Sequence, residues 1–89
     1  MNVSYVAQIS GKVQGVYFRA SSQQMAIEYC LSGYAHNLAN GDVEVLICGE
    51  QSNVDKMLAW LTHGPPQAEV SQVKKKKIEW TEHNHFSIG

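Results

Sequence analysis

The sequence predicts an α+β fold in which two helices pack on one face of an antiparallel sheet. Three observations carry this. Segments of alternating apolar and polar residues occur in the order strand, helix, strand, strand, helix, strand, with a short strand at the tail. Both helical segments repeat their apolar residues at helical spacing, so each has one face to bury. An Asn40-Gly41 pair between two strand-like runs marks a hairpin, which makes the central strands antiparallel.

The elements follow in order. Val3 to Ser10 alternates, with Val3, Tyr5, Ala7 and Ile9 on one face, and reads as the first strand. Gly11 to Arg19 is a glycine-bearing turn that runs into a helix over Ala20–Leu31. Phe18, Ser22, Met25, Ala26 and Tyr29 form its core-facing stripe, and Gly33 is placed to stop it. Gly33–Ala39 and Asp42–Cys48 are the arms of the hairpin, with Asn-Gly supplying the positive φ angles of a tight turn. Ser52 and Asp55 resemble a capping pair for the second helix. Its stripe is Val54, Met57, Leu58 and Leu61, with Trp60 off to one side. Gly64-Pro65-Pro66 ends it, because proline cannot continue a helix. Ala68 to Ile78 reads as the fourth strand and His85 to Ile88 as the last. This order is that of a ferredoxin-like split βαβ sandwich. There the fourth strand lies at an edge, and Lys74-Lys75-Lys76-Lys77 would discourage it from pairing with another chain.

Composition bounds the function. Eighty-nine residues predict a single domain over 1–89, and an apolar share of 44% supports one modest core. A net charge of −1 gives no reason to expect a nucleic-acid or membrane-surface partner. The N-terminus lacks the basic-then-apolar pattern of a signal peptide, so the expected compartment is the cytoplasm. Reduced, partly buried Cys30 and Cys48 are the expectation there, with a single disulfide left open.

The stretch Gly11-Lys12-Val13-Gln14-Gly15-Val16-Tyr17-Phe18-Arg19 carries the chemistry. A turn that feeds a helix start gathers unpaired N–H groups and the positive end of the helix dipole, which suits an anion. Arg19 adds a fixed charge able to grip two phosphoryl oxygens, although an arginine there could equally be solvated. The stretch has no Gly-Lys-Ser/Thr ending, no Gly-x-Gly-x-x-Gly, and no serine or cysteine. It is therefore neither a nucleotide loop nor a seat for a covalent phospho-enzyme. On residue types alone, Asn37 reads as a strand-end residue satisfying local backbone groups rather than as a water-positioning one.

Those nine residues resemble the first signature of the acylphosphatases, Gly-x-Val-Gln-Gly-Val-x-Phe-Arg, without departure. Gly33-Tyr34-Ala35-His36-Asn37-Leu38-Ala39-Asn40-Gly41-Asp42-Val43-Glu44-Val45 resembles the second. Gly64-Pro65-Pro66-Gln67-Ala68-Glu69-Val70 and Phe86-Ser87-Ile88 also fit the family, so the likeness spans nearly the whole chain. The resemblance implies a ferredoxin-like enzyme that hydrolyses acyl phosphates to a carboxylate and inorganic phosphate, without metal or cofactor. It implies that Arg19 holds the phosphoryl group. The backbone N–H groups of Gln14, Gly15, Val16, Tyr17, Phe18 and Arg19 would line the cradle, and Asn37 would position the attacking water. The expected partner is a small-molecule acyl phosphate, met by a monomer with no nucleic acid and no membrane.

Some residues stay outside this reading. His36 should face away from Asn37 and be solvated. His83 and His85 could share a face toward a metal, but no third ligand is in view. Ser22 could bond near the site or back to its own helix. The chain ends in Gly89, where the family often has a basic or aromatic residue, which puts in doubt a terminal side chain as a tether for Arg19 but leaves Arg19 and Asn37 themselves untouched. The competing readings are an anion-binding module on the same fold and an RNA-binding sheet. The second would want aromatics on the central strands, and Val43–Cys48 has none.

Overall fold

The computed structural model describes all residues from 1 to 89. Five strands and two helices follow the anticipated order: β1 (Asn2–Lys12), α1 (Phe18–Glu28), β2 (Ser32–Asn37), β3 (Val43–Glu50), α2 (Gln51–Leu61), β4 (Glu69–Ile78) and β5 (Phe86–Ile88). The sheet order is β4-β1-β3-β2-β5, antiparallel throughout except for the parallel pair β2–β5. No helix is long and apolar enough to cross a membrane.

Alternation explains the layers. Val3, Ala7 and Ile9 of β1 and Val43, Val45 and Ile47 of β3 are all buried on one face. Register places Ala7 beside Val45 and Ile9 beside Val43, so these rows form a continuous apolar floor. Onto it α2 sets Val54, Met57, Leu58 and Leu61, the stripe read from spacing. Helix α1 sets Phe18, Ser22 and Ala26 on the same floor. The former packs over β1 and β3, the latter over β2 and β5. Trp60 tilts against Phe18 with ring centroids 5.8 Å apart, covering the rim of the core.

Burial also reaches the opposite face. Ser4 and Cys48 sit side by side there, both fully buried. The chain between β4 and β5 must travel from one sheet edge to the other, and it crosses above them. Thr81 N–H donates to Ser4 Oγ at 3.1 Å, and His83 Nδ1 lies 3.9 Å from Cys48 Sγ. Burial pushes the Cys48 thiol up, and the hydrogen bond with Ser4 partly opposes this. Both cysteines are free, Cys30 exposed and Cys48 buried. His83 is thus turned toward Cys48 and Thr81, and no three His, Cys, Asp or Glu side chains converge anywhere. Lys74 to Lys77 are exposed on β4, which is an edge strand.

Four local expectations need correction. Helix α1 ends at Glu28, not Leu31. Cys30 takes the left-handed conformation at φ 57°, with Leu31 N–H donating to Ala26 O and Cys30 N–H to Ile27 O. This pair of bonds is a Schellman ending. Gly33 is instead a β2 residue at φ 137°, where a Cβ would stand 1.9 Å from Leu46 O. The hairpin loop runs over 38–42 and is closed by Leu38 N–H to Asp42 O and Gly41 N–H to Leu38 O; only Gly41 has a positive φ. Finally, Glu50 occupies the N-cap of α2 without a side-chain bond, and Ser52 lies within the first turn, donating to Glu50 Oε1 at 3.1 Å.

Candidate active site

The Gly11–Arg19 stretch leaves the floor at Val13, which is buried, and turns back through Gly15 at φ 74°. No neighbouring atom lies within 4 Å of where a Gly15 Cβ would be, so the loop is open to approach on that side. Val16 and Phe18 are buried anchors on either side of Tyr17. Tyr17 is the N-cap of α1 at φ 64°, a left-handed conformation that a bulky residue rarely takes. The first helical amide with a backbone acceptor is Ser21, which donates to Tyr17 O at 2.9 Å. The amides before it, from Gln14 to Ala20, donate to no backbone carbonyl. No acidic side chain lies in that first turn. The positive end of the helix therefore faces the loop without internal compensation.

Arg19 and Asn37, distant in sequence, line one pocket of ≈ 290 Å³ together with Val13, Gly15, Tyr17 and Ile88. Strand alternation brings Asn37 there. Ala35 is buried on the helix-covered face, and Asn37, next on that face, is exposed at the end of β2 beside the start of α1. His36 consequently points to the other face, but it is half-buried, stacked on Tyr34 with centroids 4.2 Å apart, rather than solvated. Tyr34 in turn donates to Glu44 Oε2 at 2.7 Å. Burial first, then that hydrogen bond and charge, push its phenol up to about 12.

Four residues hold the arrangement in ways that sequence reasoning missed. The Gln14 side chain donates from Nε2 to Leu38 O and to Asp42 O, 2.9 Å each, pinning the loop to the β2–β3 turn that follows Asn37. Gly89, through its main-chain oxygen, accepts a hydrogen bond from Arg19 Nη1. A main-chain acceptor thus tethers Arg19. Ile88 of β5 completes the wall, and Gln23 Nε2 donates to Phe86 O at 2.8 Å, fixing β5 to α1. Ser22 takes the other of its two readings: its hydroxyl donates to Phe18 O at 2.7 Å, within the helix. Only the Gln14 bridge left a sequence trace, a polar residue amid Val13, Gly15 and Val16.

The guanidinium of Arg19, the uncharged amide side chain of Asn37 and the loop residues Gly15, Tyr17 and Phe18 border one small space, whereas Gln14 and Val16, also expected in the cradle, do not line it. Fixed positive charge and free amide N–H groups are the donors an oxyanion needs.

Comparisons with known proteins agree in family and fold. The acylphosphatase family profile matches residues 5–88. An acylphosphatase of Colwellia psychrerythraea is 68% identical over 89 residues, all of both chains. The structure of an acylphosphatase from Coxiella burnetii superposes with TM-score 0.95 at 40% identity, covering 99% of this chain and 93% of that one. That of Bacillus subtilis acylphosphatase gives 0.94 at 30% identity and 98% coverage of both. The chain belongs to the acylphosphatase family.

Proposed function

We propose that the protein hydrolyses acyl phosphates, with Arg19 and the amides of Gln14 to Arg19 binding the phosphoryl group and Asn37 positioning the attacking water. One observation carries the reading: Arg19 and Asn37, from different elements, line the same pocket as Gly15, Tyr17 and Phe18, whose amides donate to no backbone carbonyl. The membership of the family supports the reaction class.

The chemistry follows from these residue types. Water attacks phosphorus in line with the departing carboxylate, which leaves with the electron pair of the broken P–O bond. Charge on the equatorial oxygens is met by the guanidinium and the amides, already oriented before reaction. A carboxylate is a good leaving group, so little is asked of a general acid. Asn37 Oδ1 accepts a hydrogen bond from the water and so fixes its approach without acting as a base; the water's surplus proton passes to the phosphate product or to solvent. Neutralisation falls to Arg19 and the amides, so the reaction is expected to need no metal and no cofactor. The working unit is a cytoplasmic monomer of one domain, in which Lys74–Lys77 keep the free edge of β4 from pairing.

The test is hydrolysis of benzoyl phosphate with a chelator present. Wild type should turn over. Asn37→Ala should bind inorganic phosphate normally yet lose kcat by about a hundredfold or more. Arg19→Gln should lose turnover and phosphate affinity together. Activity abolished by chelation, or near-normal kcat in Asn37→Ala, would overturn the corresponding part.

A further inference from the structure

The pocket shared by Arg19 and Asn37 has a neighbour. A second hollow of ≈ 260 Å³ is lined by Val16, Tyr17, Ser21, Pro65, Pro66 and Gln67. Tyr17 lines both hollows, whereas Asn37 lines only the first and the prolines only the second. We propose that the second hollow is the acyl subsite, in which Tyr17 and Pro66 select substrates with a flat or bulky apolar acyl group over small or charged ones. This rests on the hydrolase reading above.

Three observations support it. In-line displacement puts the leaving carboxylate on the side of phosphorus opposite the water. With the water beside Asn37, the acyl body points away from Asn37, and the adjoining hollow, reached across Tyr17 and lined by Pro65 and Pro66, is one that Asn37 does not line. Second, Tyr17 is 74% exposed, so no core packing explains its ring. Its backbone holds φ 64°, a conformation glycine would take more comfortably, which marks the side chain rather than the turn as the reason for the residue. Third, the lining has no charged side chain: Val16 and the prolines offer apolar surface, and Ser21 and Gln67 are its polar members. A carboxylate-bearing acyl group would lose its hydration there and find no cation in return.

The experiment compares kcat/KM for benzoyl phosphate and acetyl phosphate in wild type, Tyr17→Gly, Tyr17→Phe and Pro66→Ala. Taking the ratio cancels any effect on the cradle that both substrates share. Glycine accepts the native φ, so Tyr17→Gly should fold. The benzoyl-to-acetyl ratio should fall roughly three- to tenfold in Tyr17→Gly, the range an aromatic contact supplies, and mainly through KM for benzoyl phosphate. Tyr17→Phe should keep the ratio, and Pro66→Ala should lower it by less. A ratio unmoved in both Tyr17→Gly and Pro66→Ala, with the two substrates losing equally, overturns the subsite and leaves the hydrolase reading standing. Wild type turning over neither substrate overturns both.

Discussion

Replacing Gln14 by alanine isolates the bridge between the cradle and the turn after Asn37. Gln14 Nε2 makes two neutral hydrogen bonds of 2.9 Å, each worth about 0.5–1.5 kcal/mol net. Neither acceptor is orphaned by the change. Leu38 O keeps the Gly41 N–H at 3.2 Å, and Asp42 O keeps the Leu38 N–H at 2.8 Å. No full desolvation penalty is therefore added, and the loss should be about 1–2 kcal/mol. For a domain of this size that lowers Tm by roughly 4–16 °C. The amides of the cradle survive, so inorganic phosphate should still compete with nearly its original inhibition constant. Asn37 is no longer held in register with Arg19, so kcat should fall about tenfold or more. Thermal melts and steady-state kinetics with phosphate competition read all three quantities. A variant with the expected Tm loss but unchanged kcat would show that the bridge holds the fold without aligning the site. A Tm within a degree of wild type would refute the stability estimate. Gln14→Glu sharpens the test: a carboxylate has no hydrogen to donate and would face two carbonyls, so it should destabilise more than alanine at neutral pH and recover as it protonates.

The remaining predictions concern the scaffold. Cys30→Gly relieves a left-handed non-glycine residue at the end of α1 and should stabilise by about 1 kcal/mol; an unchanged or lower Tm would count against the Schellman assignment. Gly33→Ala places a Cβ 1.9 Å from Leu46 O, a backbone atom within the sheet, and should cost about 3 kcal/mol or more. Denaturant unfolding checks it, and near-native stability would mean the β2–β3 contact yields. Tyr34 holds its proton to about 12 when folded, against 10.0 for the unreacted side chain in the unfolded chain. Between those values the native state binds more protons, so stability falls as pH rises through that window. Tyr34→Phe should remove that part of the slope in urea midpoints measured across it, and a slope unchanged by the substitution would contradict the assignment.

Sequence alone was a good guide wherever one chain segment decides its own environment. The stripe Val54, Met57, Leu58 and Leu61 is buried as read, because a helix face is set by spacing within the helix. Alternation in β1 and β3 fixed which residues meet the core for the same reason. It misled where distant segments compete. Asn40-Gly41 resembles a two-residue turn, but Asp42 is drawn out of the ladder by Gln8 at 2.6 Å on its carboxylate and Gln14 at 2.9 Å on its carbonyl. Gly33 resembles a helix stop, yet the sheet claims it for a close approach, and beyond the helix end at Glu28 it is Cys30, not a glycine, that takes the left-handed position. That Arg19 and Asn37 share one pocket was foreshadowed by the two motifs that carry them. The Gly89 tether was not, because a main-chain oxygen carries no residue identity.

The position of β5 shapes how the protein must fold. Its residues wall the pocket through Ile88, yet they reach it only after the chain has crossed the sheet from the β4 edge to lie parallel to β2. Pairing Ala35 with Ile88 closes a loop of about 50 residues, and such non-local, parallel contacts are slow to form because the entropy of closure precedes their reward. Until that strand docks, Arg19 lacks its Gly89 acceptor and the pocket lacks a side. On refolding, helices and hairpin should therefore return ahead of turnover, making enzymatic activity a late and stringent report of the native topology.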